Sequence, residues 1–276
     1  MQLSRAPIHQ GFLPANGQSR AFVWKYTPVN WGRRPRHFHI EPEFNLIVSG
    51  RARFGIGETI VEANRHDLIA FPPGQDHVLL DASPDLFLFA IGMDPSFSSD
   101  VLRAQGSPLC PLHFRLDHDD FHALAKRASD IVDRVGLESP CAELWSHADW
   151  LTRKRDRNLS APLHVLTRRT LEMLSIDPAI SLEQLAGKLR SPASEVSRYF
   201  HRDMGTTFIA FRTRRRILNF IRWVDHGATN FREIARESGF GSYSQCHRVF
   251  EAALGTSPRA FFQTGDRQRM QQAYDP

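Results

Sequence analysis

The stretch IARESGFGSYSQCHRVFEAALGTSPRAF, residues 234–261, decides the fold of this chain. Its apolar residues recur with a helical period on both sides of a break at Gly239–Phe240. Ser242 is placed to cap the second helix, which should run to about Leu254 and end at Gly255. Two short helices joined by a tight turn form a helix-turn-helix, and the second helix of such a motif fits the major groove of DNA.

A second copy of this pattern lies upstream, in LEQLAGKLRSPASEVSRYFHRDMGTTFIAF, residues 182–211. Arg198–Phe200 in this copy corresponds to Arg248–Phe250 in the later one. Internal duplication of a supersecondary unit is stronger evidence than either copy alone. The chain is therefore predicted to carry two helix-turn-helix motifs, at about 182–203 and 231–254.

One long helix is predicted between the two copies. Its apolar positions recur at three- and four-residue steps and are Phe208, Phe211, Ile217, Phe220, Ile221 and Val224. Such a helix would hold the two motifs at the separation of successive major grooves, about 34 Å. Five arginines lie along it, and each either contacts a DNA phosphate or belongs to a solvated charged face: Arg212, Arg214, Arg215, Arg216 and Arg222.

The same spacing resembles the signature of the AraC-type transcription regulators, I-A-x-x-x-G-F-x-S-x-S followed by R-x-F, G-x-S-P and an aromatic residue. The twelve matching positions are Ile234, Ala235, Gly239, Phe240, Ser242, Ser244, Arg248, Phe250, Gly255, Ser257, Pro258 and Phe261. The resemblance implies a sequence-specific regulator that binds double-stranded DNA as a homodimer, with RNA polymerase as a further partner. A generic helical bundle is the alternative, and the agreement of turn residues with apolar period in both copies argues against it.

The expected DNA contacts follow from the geometry of the two second helices. Val196 and Phe200 face the core in the first, and Cys246 and Phe250 take the equivalent positions in the second. The opposite faces then meet base edges and phosphates. The predicted DNA-binding residues, including one from the connecting helix, are Ser194, Ser197, Arg198, His201, Arg215, Ser242, Ser244, His247 and Arg248. For Arg248, bracing the domain is an alternative to reading guanine.

The charge of the chain is distributed unevenly. Residues 1–161 hold 18 basic and 19 acidic residues, a net charge of −1, whereas residues 162–276 hold 17 basic and 11 acidic residues, a net charge of +6. Phosphate binding requires such a basic half, because released counterions drive the non-specific part of DNA affinity.

The region before residue 100 has short apolar runs separated by Gly and Pro. The runs at 44–48, 51–56, 68–71, 78–80 and 86–91 have the length of strands. Regular short strands with such turns are typical of an all-β sandwich or barrel. Five aromatic residues either line an apolar pocket of this barrel or belong to its core: Trp24, Trp31, Phe44, Phe54 and Phe71.

Histidine, glutamate, glycine and proline residues in this region are spaced in a way that resembles the two cupin motifs. The matching residues are Gly32, His37, His39, Glu43 and Gly50, then Pro72, Gly74 and His77, while His66 and Asp81 depart from the pattern. In metal-binding cupins such a set holds one ion, so the resemblance implies a site at His37, His39, Glu43 and His77. Three imidazoles and one carboxylate suit Zn, Fe, Mn or Ni. The alternative is a pocket in which these residues hydrogen-bond an organic effector and no cofactor is required.

Two helices are predicted between barrel and DNA-binding domain, over 119–135 and 139–157. Each either pairs with a second subunit or packs on its own barrel. The charged stretch 153–162 is predicted to be a linker, followed by a helix over about 162–174. The predicted fold class is multidomain, with an all-β cupin-like barrel over 1–100, a helical dimerisation region and linker over 101–161, and an all-α DNA-binding domain over 162–276.

The remaining features favour a cytoplasmic protein with no membrane contact. Cys110, Cys141 and Cys246 form no C-x-x-C pair and are expected to be reduced thiols. The amino terminus lacks the apolar core of a signal peptide, and no apolar run approaches the ~20 residues of a membrane span.

The function predicted from these features is transcription control by an effector, small molecule or metal, bound in the barrel, without enzymatic activity. The alternative is a cupin metal-dependent enzyme, a dioxygenase or isomerase, with an appended DNA-binding domain. The sequence offers no second constellation for acid–base work, which disfavours that alternative. An architectural DNA-binding protein without an effector is a third possibility, against which the pocket residues at 37–77 argue.

Overall fold

The computed structural model describes residues 8–9, 21–27, 36–93, 112–132, 138–156, 163–225 and 227–263. They fall into two compact units, one that ends at Pro162 and one that begins at Leu163. In the described ranges the first unit is a β structure with two helices, and the second is all α. No helix in those ranges is long and apolar enough to cross a membrane.

The strands described in the first unit form two five-stranded sheets. They are β1 (Ile8–His9), β2 (Ala21–Tyr26), β3 (His37–Phe38), β4 (Glu43–Ser49), β5 (Arg51–Ile56), β6 (Thr59–Asn64), β7 (Asp67–Phe71), β8 (His77–Ala82), β9 (Phe87–Met93) and β10 (Leu112–Arg115). The first sheet has the order β1-β3-β8-β5-β6 and the second β10-β7-β4-β9-β2. Neighbours are antiparallel, except that β1 is parallel to β3. The predicted all-β fold of this region is confirmed.

Strand β4 is covered on both faces, and its apolar residues therefore point to both sides of the sheet. Phe44 and Leu46 belong to a core cluster that includes the helices of this unit. Ile47 belongs to a second cluster, which joins the two sheets. Because successive side chains of a strand point to opposite faces, Glu43 and Asn45 share the interior face with Ile47. The strand therefore carries two polar groups into the barrel.

Two helices, α1 (His118–Ile131) and α2 (Glu138–Asp156), pack on the second sheet of their own barrel. The rings of Phe44 on β4 and Trp145 on α2 lie 4.4 Å apart. Of the two arrangements expected for these helices, the structure shows packing on the barrel for both. The buried residues of the pair are Phe121, Leu124, Ala128, Ile131, Cys141, Leu144, Trp145, Ala148 and Leu151.

The helix predicted over 139–157 is confirmed, so the predicted linker, which overlapped it, does not start at residue 153. Helix α2 continues through Asp156, because Arg and Lys are good helix formers and a charged run does not end a helix without a Gly or Pro. The remainder of the predicted linker, residues 157–162, lies outside the described residues, as do Val135 of the first predicted helix and Cys110.

The second unit contains seven described helices. They are α3 (Val165–Ile176), α4 (Leu182–Leu189), α5 (Ala193–Met204), α6 (Phe208–Asp225), α7 (Phe231–Glu237), α8 (Tyr243–Leu254) and α9 (Pro258–Gln263). Helices α4–α5 and α7–α8 form the two helix-turn-helix motifs, and α6 is the long helix between them. The helix expected from about residue 162 begins at Val165, because His164 accepts a hydrogen bond from the Leu166 N–H and caps it.

The turns of the two motifs use left-handed backbone in different ways. In the first, Arg190 has φ 52° directly after α4. In the second, Gly239 has φ 91°, and a Cβ at this position would lie 2.8 Å from the backbone of Pro178. Glycine is therefore required there for both conformation and close approach. The predicted cap at Ser242 and the predicted end of α8 at Gly255 are both confirmed.

Candidate ligand site and nucleic-acid interface

Three histidines converge inside the barrel. His37 on β3 and His77 on β8 are paired residues, and their ring centroids lie 4.4 Å apart. The ring of His39 lies 5.8 Å from that of His37 and 5.0 Å from that of His77. One potential ligand atom of each lies within 4.8 Å of the others. The structure thus brings together the three histidines that the sequence singled out.

Glu43 completes this cluster from β4. Its Oε2 lies 3.0 Å from Nε2 of His39 and 3.5 Å from Nε2 of His77. Burial raises the pKa of Glu43, but the hydrogen bonds and charges of His39 and His77 lower the pKa by more, so that it ends well below its usual value. The group therefore presents a buried carboxylate to two imidazoles.

Backbone carbonyls decide which nitrogen of two rings carries the proton. Nδ1 of His39 lies 2.6 Å from the carbonyl oxygen of Glu41, and Nδ1 of His77 lies 3.1 Å from that of Gln75. A carbonyl oxygen only accepts, so each Nδ1 donates. In a neutral ring the Nε2 lone pair would then face the carboxylate of Glu43, which repels it. A proton on Nε2, or a cation between the groups, removes this repulsion.

A cavity opens on the cluster between the two sheets. Its volume is about 80 Å³, and it is open on one side. Its buried polar groups are His37, Glu43, His77 and Asn45, and the buried Oδ1 of Asn45 has no hydrogen-bond partner among the described residues. The other lining residues are mostly apolar: Trp24, Lys25, Tyr26, Phe54, Leu79, Leu88 and Ala90. A concave apolar cavity with a few convergent polar groups is typical of a small-molecule site.

The aromatic residues expected in this pocket lie in different places. Trp24 and Phe54 line the cavity, and Phe71 stacks on His77 with ring centroids 4.2 Å apart. Phe44 faces the helices instead, because it is one residue out of phase with Glu43 on the strand. Trp31 lies outside the described residues. The sequence interpretation missed Tyr26, although its spacing of two from Trp24 places both on one face of β2.

The first recognition helix, α5, divides as expected into a core face and an outer face. Val196 and Phe200 are fully buried. Arg198 is two-thirds exposed, with Nη2 3.6 Å from Oε1 of Glu195. The predicted DNA-contacting residues of this helix are all exposed or half-buried: Ser194, Ser197, Arg198 and His201.

The second recognition helix, α8, has the same division. Cys246 and Phe250 are fully buried. Ser242 caps the helix, and its Oγ accepts a hydrogen bond from the Gln245 N–H at 3.1 Å. Nδ1 of His247 lies 3.6 Å from Oε2 of Glu251. The four predicted DNA-contacting residues of this motif are exposed or half-buried: Ser242, Ser244, His247 and Arg248.

Most arginines of α6 donate hydrogen bonds to groups within the second unit. Arg216 donates to the carbonyl oxygens of Pro178 and Ala179 at 2.9 and 3.0 Å, and Arg212 donates to that of Ile180 at 2.7 Å. The turn of the second motif, at Gly239, packs on this same loop. The loop between α3 and α4 is thus held by α6 and by the second motif, which couples the two motifs.

The other arginines of this helix differ in exposure. Arg214 is buried and donates to Oγ1 of Thr206 at 2.8 Å. Arg215 is half-buried, and burial lowers the pKa of its guanidinium from the usual value. Arg222 is exposed. Of the five arginines that the sequence left open between phosphate contact and charged surface, Arg212, Arg214 and Arg216 form internal braces instead.

Comparisons with known proteins agree with this architecture. The model of an AraC-like ligand binding domain matches residues 26–147, and that of a helix-turn-helix domain matches residues 185–264. The uncharacterized HTH-type transcriptional regulator YdeC of Bacillus subtilis (strain 168) is 22% identical over 255 residues, which cover 83% of this chain and 86% of that protein.

Two solved structures match along most of this chain. ToxT from Vibrio cholerae O395 is 16% identical with a TM-score of 0.47, over 88% of this chain and 96% of that chain. The AraC-like transcriptional activator CuxR is 12% identical with a TM-score of 0.33, over 80% of this chain and 78% of that chain.

A ligand-binding barrel followed by two helix-turn-helix motifs defines a ligand-responsive, DNA-binding transcription regulator. Both domain models match in that order and together span most of the chain. The chain belongs to the AraC-type transcription regulators, as its sequence motifs predicted.

Proposed function

We propose that this regulator binds a small organic effector in the cavity above His37, Glu43 and His77. The observation that carries the proposal is the composition of the cavity, in which apolar walls end on buried polar groups. The apolar walls supply affinity through the removal of ligand surface from water, at about 25 cal/mol per Å². Asn45 Oδ1 and the Glu43 carboxylate supply orientation, since each favours a ligand that donates a hydrogen bond.

A divalent metal held by His37, His39, Glu43 and His77 is the second candidate for this site. The specific observation in its favour is the pair of Nε2 atoms that face Glu43 while their Nδ1 atoms bond backbone carbonyls. Metal-binding histidines are usually oriented in this way by a partner on the other ring nitrogen. Three imidazoles and a carboxylate suit Zn, Fe, Mn or Ni, and such an ion would act as a Lewis acid toward an effector.

For DNA recognition we propose that α5 and α8 enter successive major grooves. Ser194, Ser197 and Arg198 would contact bases from the first helix, and Ser244, His247 and Arg248 from the second. His201, Arg215 and Ser242 would contact phosphates. The support for this assignment is the division of both helices into a buried face and an exposed face that carries these residues.

Further parts of the proposal concern partners and location. We propose a homodimer, and the exposed Trp150 on α2 is where a second subunit would bury apolar surface. RNA polymerase is proposed as a partner at promoters and the cytoplasm as the compartment, both because the chain binds DNA to regulate transcription. We propose no catalytic role for the barrel, since the family is one of regulators.

The ligand site is tested by metal analysis of the purified full-length protein, followed by thermal melting after chelation and after addition of Zn, Mn, Ni or Fe(II). A metal site predicts bound metal and a melting temperature that rises on addition for the wild type but not for His77→Ala. A site for an organic effector predicts instead that an added ligand raises the melting temperature even after chelation. This rise should be lost in Ala90→Phe, because the larger side chain occupies the cavity. Turnover of a candidate substrate would support the enzyme alternative.

The DNA-binding proposal is tested by genome-wide footprinting with the purified protein. Protected sites with a shared motif of two half-sites, one helical turn apart, are expected. Protection spread evenly over the genomic DNA, with no shared sequence motif, would contradict the proposal.

A further inference from the structure

Tyr199 follows Arg198 on the first recognition helix and lies at the centre of a packed group. Its ring stacks on that of His164, with centroids 3.4 Å apart and planes inclined by only 2°. Two guanidinium groups lie over the same ring, that of Arg198 at 4.6 Å and that of Arg202 at 4.9 Å from the centroid. One aromatic ring therefore contacts an imidazole and both of the arginines that flank it on α5.

The main chain and Asp203 hold this stack in place. The His164 N–H donates to Oδ2 of Asp203 at 2.9 Å, and Oδ1 of Asp203 accepts from Nε of Arg202 at 2.7 Å. Nδ1 of His164 accepts from the Leu166 N–H at 3.3 Å, which fixes the imidazole at the start of α3. His164, Tyr199, Arg202 and Asp203 thus form a closed ring of contacts between α3 and α5.

We propose that Tyr199 is a positioning residue for DNA recognition, which orders Arg198 for a base edge and Arg202 for the adjacent phosphate before DNA arrives. The inference rests on the proposed role of α5 in the major groove. Arginine has many rotamers, and immobilising it at an interface costs conformational entropy. A cation held over an aromatic face has already lost part of that freedom. Arg202 retains free donor capacity for a phosphate, because a guanidinium has five N–H groups and Asp203 uses only some of them.

The second motif provides an internal contrast. Val249 stands where Tyr199 stands in the first motif, and Ala252 stands where Arg202 stands. Arg248 therefore occupies the position of Arg198, but the second motif has no aromatic residue next to it and no arginine at the position of Arg202. The stronger sequence preference is accordingly assigned to the half-site under α5.

The test uses full-length protein and selection of bound duplexes from a random library, with wild type, Tyr199→Phe, Tyr199→Leu and Tyr199→Met. Tyr199→Phe keeps the ring and should select the wild-type motif. Tyr199→Leu and Tyr199→Met should lose about tenfold in the ratio of specific to random DNA binding, confined to one of the two half-sites. Val249→Leu is the matched control in the second motif and should leave that ratio unchanged.

The outcomes separate this inference from the proposed function. If the wild type selects no motif, the proposed DNA contacts themselves are refuted. If the wild type selects a motif and Tyr199→Leu and Tyr199→Met select the same one with the same ratio, the positioning role is overturned. Equal losses at both half-sites, with a lowered melting temperature in every Tyr199 variant including Phe, would also overturn it, because that pattern reports a general loss of folding.

Discussion

Arg36 and Asp76 form a buried ion pair, with Nη1 of Arg36 2.5 Å from Oδ2 of Asp76. Each stands one residue before a histidine of the ligand site, His37 on β3 and His77 on β8. Arg36 also donates to the carbonyl oxygen of Gly57 at 2.7 Å, at the turn after β5. The ion pair therefore clamps together the starts of β3 and β8, whose first residues, His37 and His77, converge in the barrel.

Replacing Arg36 with alanine should destabilise the protein by about 3–5 kcal/mol, because it removes the ion pair from the buried carboxylate of Asp76. The free energy of unfolding in urea measures this. Arg36→Met combined with Asp76→Leu should recover much of the loss, since no charge is then buried.

A surface ion pair serves as the control. Lys126 and Asp130 lie 2.7 Å apart on α1, but their side chains are 77% and 56% exposed. Lys126→Ala should change stability by less than about 1 kcal/mol. Comparable effects of Arg36→Ala and Lys126→Ala would refute the clamp.

Gly239→Ala should destabilise the second unit more than Gly255→Ala. Both glycines have left-handed backbone, which costs about 1–2 kcal/mol for alanine. A Cβ at Gly239 would also meet the backbone of Pro178 at 2.8 Å, whereas one at Gly255 has nothing within 4 Å. Thermal melting of the two variants measures the difference, and equal melting temperatures would show that the turn does not pack on this loop.

Cys246 should resist thiol reagents in the native protein at pH 8 and react on unfolding. Burial raises the pKa of its thiol from the usual value near 9.0 to about 12, so the reactive thiolate is scarce in the native state. The unfolded thiol ionises first as the pH rises, so the stability contributed by this site is complete below about pH 9 and is lost between about 9 and 12. Urea unfolding over that range should show this decline in the wild type and less of it in Cys246→Ala.

Arg215→Ala and Arg216→Ala should separate a DNA contact from an internal brace. Arg215→Ala is expected to weaken binding to all DNA similarly and to lower the slope of affinity against salt by about 1. Arg216→Ala should leave that slope unchanged but lower the melting temperature, because two carbonyl oxygens of the loop at 178–179 lose their donor. Anisotropy titrations of labelled duplex at several salt concentrations measure both slopes. An unchanged slope for Arg215→Ala would remove it from the set of phosphate contacts.

Periodic patterns were the reliable part of the sequence. Apolar residues at helical spacing located α6 and the buried faces of α5 and α8, and the caps at Ser242 and Gly255 located the ends of α8. These features depend on neighbours within a few residues, so they can be recognised in the chain itself. The charged run from Arg153 misplaced the start of the predicted linker inside the predicted helix, since charge alone does not end a helix.

The spacing of His37, His39, Glu43 and His77 predicted a single site, but it did not reveal the cavity walls. Those walls come from strands that are distant in sequence, such as β2 and β8, and their meeting depends on sheet order. The role of Arg36 was equally hidden, because its partner Asp76 is 40 residues away and neither residue stands out by pattern.

The sequence alone determined that this chain carries two helix-turn-helix motifs behind a β-barrel, because repeats, caps and strand-length runs are local properties of the chain. Only the tertiary structure decided that α1 and α2 cover their own barrel, that three arginines of α6 brace the second unit, and that Tyr199 gathers its neighbours around one ring. The first two depend on contacts between segments that folding brings together, and the third does so through His164, since Arg198 and Arg202 lie on the same helix as Tyr199.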